Sequence, residues 1–325
     1  MHPAFSVIFL TTLIGAGQGL YLALYTVQLY SVFKVLPAQE STHFYALGSL
    51  IVLVFLALGL FSSFFHLGRP ERAWRSAARW RTSWLSREVI ALPAFLGAVT
   101  AWGAIQFSGW NPLLFTFGDG VEVDLSLLVG AVATLLCFTL FLFTGMIYAC
   151  IKMLQEWATP LTVVNYTLLG LSSGWILATA FASWRSPGLV QFYAGWSIFV
   201  TVVAFATRSA SLVRNSRIKH KSTLQTAIGI RHAHIEQKAQ GSMTGSFNTR
   251  EYFHGATPRN FKYVKWVFLL LAFPAPLLLL SIGLAANASV MLFAAFLVQY
   301  LGLLAERWFF FAQANHPQNL YYQTV

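Results

Sequence analysis

Two side chains that can handle protons stand at the edges of one short loop: His66, where a long apolar run ends, and Glu88, where the next begins. Between them the chain reads His66-Leu67-Gly68-Arg69-Pro70-Glu71-Arg72-Ala73-Trp74-Arg75 and, after Arg79 and Arg81, Trp84-Leu85-Ser86-Arg87-Glu88. So short a loop returns both residues to one membrane face. An imidazole at the hydrocarbon boundary can hydrogen-bond a ring oxygen, and a nearby carboxylate can pass a proton to or from water. Together they suit the headgroup of a quinone, with Arg69 or Arg87 supplying positive potential. Each also has a plainer reading. His66 can be an interfacial residue bonded to backbone, and Glu88 an acid in the first turn of a helix, favoured by the helix dipole. Pro70 sits where a helix can start, and a short basic, Trp-bearing helix from there would lie in the interface.

The elements that position this loop are membrane spans. Of the 325 residues 57% are hydrophobic and 10% charged, with a mean hydropathy of +0.63. Soluble domains carry about 25% charged residues, so a soluble enzyme is excluded. Eight apolar segments reach the length of about 20 residues that a crossing needs. They are Ala4–Phe33, His43–Phe65, Glu88–Phe107, Leu125–Ile151, Leu161–Ala182, Leu189–Thr207, Val264–Leu284 and Val290–Phe311. The expected fold is an all-α bundle of eight transmembrane helices forming a single polytopic domain over residues 1–325. The first segment has no basic leader and is too long for a signal peptide, so it reads as a retained span.

Lys and Arg number 21 against 10 Asp and Glu, a net charge of +11. In a soluble protein that would suggest nucleic acid; here it is a topology signal and no nucleic-acid partner is expected. With eight spans, the face holding both termini carries nineteen of the 21 basic residues, and the other face only Lys34 and Arg185. Both termini are therefore expected in the cytoplasm.

Other redox chemistries find no ligands here. Cys137 and Cys150 lie thirteen residues apart in one apolar segment, roughly 20 Å along a helix and beyond disulfide reach. Two thiols make neither an iron–sulfur nor a cysteine zinc set. A b-type haem would need facing axial ligands within the bilayer. His43 and His66 sit at opposite ends of one span and the other histidines lie outside, so no haem is expected. His232-Ala233-His234 is an incidental pair in a polar loop, and no metal site is expected. Gly15-Ala16-Gly17-Gln18-Gly19 resembles a phosphate loop only in composition; inside an apolar helix it reads as a close helix–helix contact. Gln18, Asn165, Tyr166 and Gln299 would cross-link helices or line a cavity. Such residues also allow a small-molecule permease, against which stand the lack of clustered charges in the spans and the concentration of polar residues at one face.

The longest connection, Arg208 to Tyr263, is polar and basic. It can be a solvated tether or a docking segment. Its stretch Phe247-Asn248-Thr249-Arg250-Glu251-Tyr252-Phe253-His254 favours docking, with Phe247, Arg250, Tyr252 and Phe253 as contacts. Arg72, Arg75, Arg79 and Arg81 are first positive-inside anchors and second candidates for an acidic partner face.

The stretches Met1-His2-Pro3-Ala4-Phe5-Ser6-Val7-Ile8-Phe9, Phe65-His66-Leu67-Gly68-Arg69-Pro70 and Ser86-Arg87-Glu88-Val89 resemble the dimethyl sulfoxide reductase anchor subunit family, and the likeness covers nearly the whole chain. The resemblance implies a haem-free anchor that holds a molybdopterin catalytic subunit and a four-cluster iron–sulfur electron-transfer subunit, and exchanges electrons with ubiquinone or menaquinone. It also implies that His66 and Glu88, matching a His and a Glu of the family pattern, belong to the quinone site. In the best-known members that face is periplasmic, whereas here it is the basic, cytoplasmic one. The orientation and the Ser246-Phe247-Asn248-Thr249-Arg250-Glu251 loop resemble the branch serving cytoplasmic sulfite dehydrogenase (sulfite:quinone oxidoreductase). Anchors of dimethyl sulfoxide or polysulfide reductases, which oxidise quinol, are the alternative.

Overall fold

The computed structural model describes residues 4–118, 121–219, 223–235 and 258–314. Helix α1 spans Phe5–Val32, and a π-helical turn, Ser41–Ala46, leads into α2, Leu47–Ser63. Two 3-10 segments follow, Phe64–His66 and Pro70–Arg79. Then come α3 (Trp84–Ser108), α4 (Leu125–Ala149), α5 (Pro160–Arg185), α6 (Val190–Ser216) and the short α7 (Leu224–Ile228). Helices α8 (Pro258–Ala272), α9 (Pro274–Ala285) and α10 (Ser289–Ala312) complete the described chain.

Among the described residues eight units are long and apolar enough to cross a membrane, with α8 and α9 forming one span broken at Phe273. The expected eight spans are all present, as in a multi-pass membrane protein. Three bounds differ from the hydropathy reading in ways that matter. Helix α3 begins four residues earlier than Glu88, α6 runs nine residues past Thr207, and the seventh span is in two pieces. The break has a local cause. Pro276 offers no N–H to the carbonyl of Ala272, four residues before it. Gln299 Nε2 takes over, donating to Ala272 O at 3.2 Å and to Ser172 Oγ at 2.7 Å.

Helices α1 and α5 form the axis: 72% and 67% of their apolar windows are buried, against 33–39% for the other six. They meet backbone to backbone. A methyl carbon at Gly19 would lie 2.3 Å from Gly170 O, and one at Gly174 would lie 2.2 Å from the Gly19 carbonyl carbon. The glycine-rich stretch of α1 is the helix contact its composition suggested. Helix α4 is tied on by donors from α1: Gln18 Nε2 to Cys137 O (2.9 Å), Tyr21 to Gly130 O (2.6 Å) and Tyr25 to Leu127 O (2.8 Å).

The up-and-down connectivity gathers one set of helix ends on the basic face, where α1, α3, α5 and α8 begin and α2, α4, α6 and α10 end. At the opposite face an antiparallel hairpin, β1 (Leu113–Phe117) and β2 (Val121–Asp124), joins α3 to α4. The sequence reading has no counterpart for it. Asp124 then caps α4, its Oδ1 accepting from Leu127 N at 2.7 Å.

Candidate functional site

The loop after α2 is a 3-10 helix rather than an α-helix, but it starts at Pro70 as the sequence suggested. None of its residues is buried. Arg69, Arg72, Arg75, Arg79 and Arg81 are all exposed. The guanidinium of Arg75 lies over the Trp74 ring and that of Arg81 over Trp80, each at 5.4 Å, while Arg72 Nε is 3.8 Å from Glu71 Oε1. This leaves a basic, Trp-bearing surface at the membrane boundary.

His66 ends the 3-10 turn that tightens α2. Its side chain is exposed, beside the exposed rings of Phe61, Phe64 and Phe65. Among the described residues none holds the imidazole by a hydrogen bond, so the backbone-bonded reading finds no bond behind it. Both ring nitrogens stay available at an apolar edge.

Ser83 caps α3, its Oγ accepting from Ser86 N at 3.3 Å. The cap starts the helix at Trp84, so Glu88 lies past the first turn and away from the free N–H groups. The dipole reading of Glu88 is thereby removed. Its Oε1 instead accepts from Thr144 Oγ1 on α4 at 2.5 Å. The carboxyl faces a cavity of about 20 Å³ lined by Thr11, Gln18, Thr144 and Tyr166 among others. Arg87 points the other way. Its Nε donates to Trp80 O at 2.9 Å, its Nη2 to Arg81 O at 2.8 Å, and the guanidinium stacks 4.2 Å over Trp84. Arg87 therefore fastens the basic loop to α3, and its charge acts through that loop.

A second polar cluster lies across Tyr166 from Glu88. Arg208 on α6 and Glu306 and Arg307 on α10 are 1%, 0% and 4% exposed. Glu306 bridges both arginines, with Oε1 at 2.6 Å from Arg208 Nε and Oε2 at 2.7 Å from Arg307 Nε. The Arg307 guanidinium rests 3.9 Å over the Tyr166 ring, which stacks on Tyr148 at 5.5 Å. A cavity of about 20 Å³ beside them is lined by Thr11, Thr12, Gly15, Tyr166, Ser173 and Arg307 among others. This corrects the expectation that the spans lack clustered charges. Hydropathy ends the sixth span at Thr207, which turns Arg208 into a loop residue. The adjacent Glu306-Arg307 inside the last apolar run was the signal available.

Gln18 and Gln299 cross-link helices, as their types suggested. His232 is engaged locally, its Nδ1 lying 2.7 Å from the carbonyl oxygen of His234 and 3.1 Å from its backbone nitrogen. Phe247, Arg250, Tyr252 and Phe253, the expected docking contacts, lie outside the described residues.

With this geometry in hand, the chain compares closely with known proteins. A family model described as "DMSO reductase anchor subunit (DmsC)" matches residues 1–313. The chain is 56% identical to a sulfite dehydrogenase subunit of Allochromatium vinosum over 325 residues, covering 100% of both chains. The match runs through the His66 loop, the Glu88 helix and the Glu306–Arg307 helix alike, and the chain belongs to the DMSO reductase anchor subunit family.

Proposed function

We propose that this chain is the membrane anchor and quinone-reactive subunit of a three-subunit molybdenum oxidoreductase that oxidises sulfite at the cytoplasmic side of a bacterial inner membrane. The observation that carries the reading is the full-length match, at 56% identity, to a sulfite dehydrogenase subunit, on a chain whose polar site opens at its basic face. Electrons would pass from an iron–sulfur subunit, itself fed by a molybdopterin subunit, to ubiquinone or menaquinone. The exposed arginines Arg72, Arg75, Arg79 and Arg81 offer the partner an electropositive floor. Exposed pairs contribute little singly, so apolar contacts from the 208–263 connection would have to share the load.

The residues fit a quinone, in a divided way. The cavity at Glu88 has room for about one water and not for a ring. His66 is open to the membrane edge, with a free donor and acceptor beside exposed phenylalanine rings. His66 would therefore hold a headgroup oxygen, and Glu88 would exchange protons through water. When bound, quinone supplies a two-electron acceptor that must gain two protons on reduction. Thr144 keeps the Glu88 carboxyl oriented into its cavity, and Arg69 contributes positive potential near His66.

The test is turnover of the purified complex with two acceptors. Loss of a charge-assisted hydrogen bond of about 1.5–3 kcal/mol lowers rate or affinity roughly 10- to 150-fold. His66→Ala and Glu88→Gln are expected to lose quinone-linked turnover by that margin while sulfite oxidation with an artificial acceptor persists. Unchanged quinone-linked turnover in both variants would eliminate the site. An active complex without sulfite-dependent quinone reduction would move the substrate to dimethyl sulfoxide or polysulfide.

A further inference from the structure

We propose that the buried Arg208–Glu306–Arg307 cluster is the fixed counter-charge of Glu88, with Arg307 as its positioning residue, so that Glu88 gains and loses its proton against a built-in positive charge. The proposal deepens the quinone reading and rests on it for the purpose of that proton.

Glu88 and Glu306 are the two acids in the eight spanning helices. They sit at similar depth, Glu88 four residues into α3 and Glu306 six residues before the end of α10, or about 6–9 Å from the helix ends. Glu306 is fully matched, with an arginine on each carboxylate oxygen. Arginine does not deprotonate in proteins, so two arginines and one glutamate leave one positive charge out of water. A lone buried charge is costly unless another group answers it.

The geometry points to Glu88. Thr144, which donates to Glu88, and Tyr148 are one turn apart on α4 and share a face. Tyr148 stacks on Tyr166, and Arg307 lies on Tyr166. The two cavities, one beside Glu88 and one beside Arg307, share Thr11, Gly15 and Tyr166 as walls, and each can take about one water. With Glu88 ionised the four groups sum to zero; with Glu88 protonated they carry one positive charge.

Few other charges face Glu88. Helices α1, α2 and α4 contain no Asp, Glu, Lys, Arg or His, and α5 has only Arg185 at its far end. Tyr148 and Tyr166 are the titratable groups that α4 and α5 bring near. On its own side are Arg87, Arg79, Arg81 and His66, all at the surface, and the loop between α4 and α5 brings the exposed Lys152 and the buried Glu156, a third acid whose replacement by Gln is the control for the charge count.

The test is an infrared pH titration of the purified, resting complex, with the Glu88 carboxyl band identified by its loss in Glu88→Gln. Arg307→Met removes one positive charge and should raise the pH of Glu88 protonation by about one unit. Glu306→Gln, its immediate neighbour, removes the negative charge and should lower it by a similar amount. Arg307→Lys keeps the charge and should hold the native midpoint, and so should Glu306→Gln combined with Arg307→Met. Opposite shifts from adjacent residues, cancelling in the double variant, are not what general loosening of the fold produces. If Arg307→Met fails to assemble, Glu306→Gln and Arg307→Lys carry the test. Midpoints that do not move, or that move the same way in both single variants, overturn the counter-charge and leave the quinone reading standing. Full quinone-linked turnover in Glu88→Gln would instead remove Glu88 from that reading without touching the titration.

Discussion

Replacing Gly174 by alanine tests the backbone contact on which the whole bundle is hung. The added methyl carbon would stand 2.2 Å from the Gly19 carbonyl carbon and the Leu20 nitrogen, and 2.3 Å from Gly19 Cα. All three neighbours are backbone atoms of α1, so no rotamer change can clear the space. Helices α1 and α5 must part by about 1 Å, an overpacking that costs about 1–3 kcal/mol. Alanine also favours a helix over glycine by about 1 kcal/mol, which would mask part of the loss. Gly195→Ala on α6 and Gly97→Ala on α3 gain the same propensity and meet nothing within 4 Å, so they serve as references. Gly15→Ala should fall between, since its methyl would reach ordinary contact at 3.4 Å from Gly170 Cα. The assay is thermal denaturation of the purified complex, read as loss of folded anchor. Gly174→Ala should melt below both references, and quinone-linked turnover should fall with it, because Thr11 and Tyr166 sit on the two helices being separated. A Gly174→Ala complex as stable as Gly195→Ala would refute the close contact.

Gln299→Leu should destabilise the anchor by about 1–3 kcal/mol, since it leaves the Ala272 carbonyl without the donor that Pro276 cannot supply; an unchanged melting midpoint would show that water serves that carbonyl instead. Deleting residues 242–254 should release the soluble partner subunits from membranes, whereas full retention would make this connection a tether. Reporter fusions after Asn215 and after Gly118 should report cytoplasm and periplasm respectively, and the reverse result would overturn the orientation and with it the sulfite reading.

Much of the bundle was legible because a span announces itself by length and hydropathy, and lipid leaves the backbone few options but a helix. Element ends were less so. Hydropathy places the start of α3 at the charged Glu88, but the start is set by the Ser83 cap, a hydrogen bond that no apolar average can sense. The same blindness hid Arg208, because a buried arginine and a loop arginine read identically until the partner is seen. His66 and Glu88 stood out because a loop of known length fixes which face both must share. The full Glu306 cluster did not, since Arg208 lies about a hundred residues before Glu306 and only the packing of α6 and α10 against α5 unites them. The break in the seventh span was written in Pro274 and Pro276, yet the apolar run passes through both without a dip.

The distribution of charge along the spans has a consequence for energy conversion. Beyond the level of Glu88, Arg208 and Glu306, the eight helices carry no Asp, Glu, Lys, Arg or His until the ends that meet the opposite face. Polar groups buried there include a bonded trio: Gln28 Nε2 donates to Ser126 Oγ at 2.6 Å, and Trp102 Nε1 donates to Gln28 Oε1 at 3.0 Å. Such pairs staple helices but give a proton no chain of acids and bases to climb. The far half of the bundle is thus an electrical insulator beneath its site. In the proposed function, protons taken up at Glu88 would come from the side it lies near, and those released would return there. If the chain has the proposed function, it would work as a socket that connects a soluble electron source to the membrane pool, and any gradient would be built by whatever next oxidises that pool.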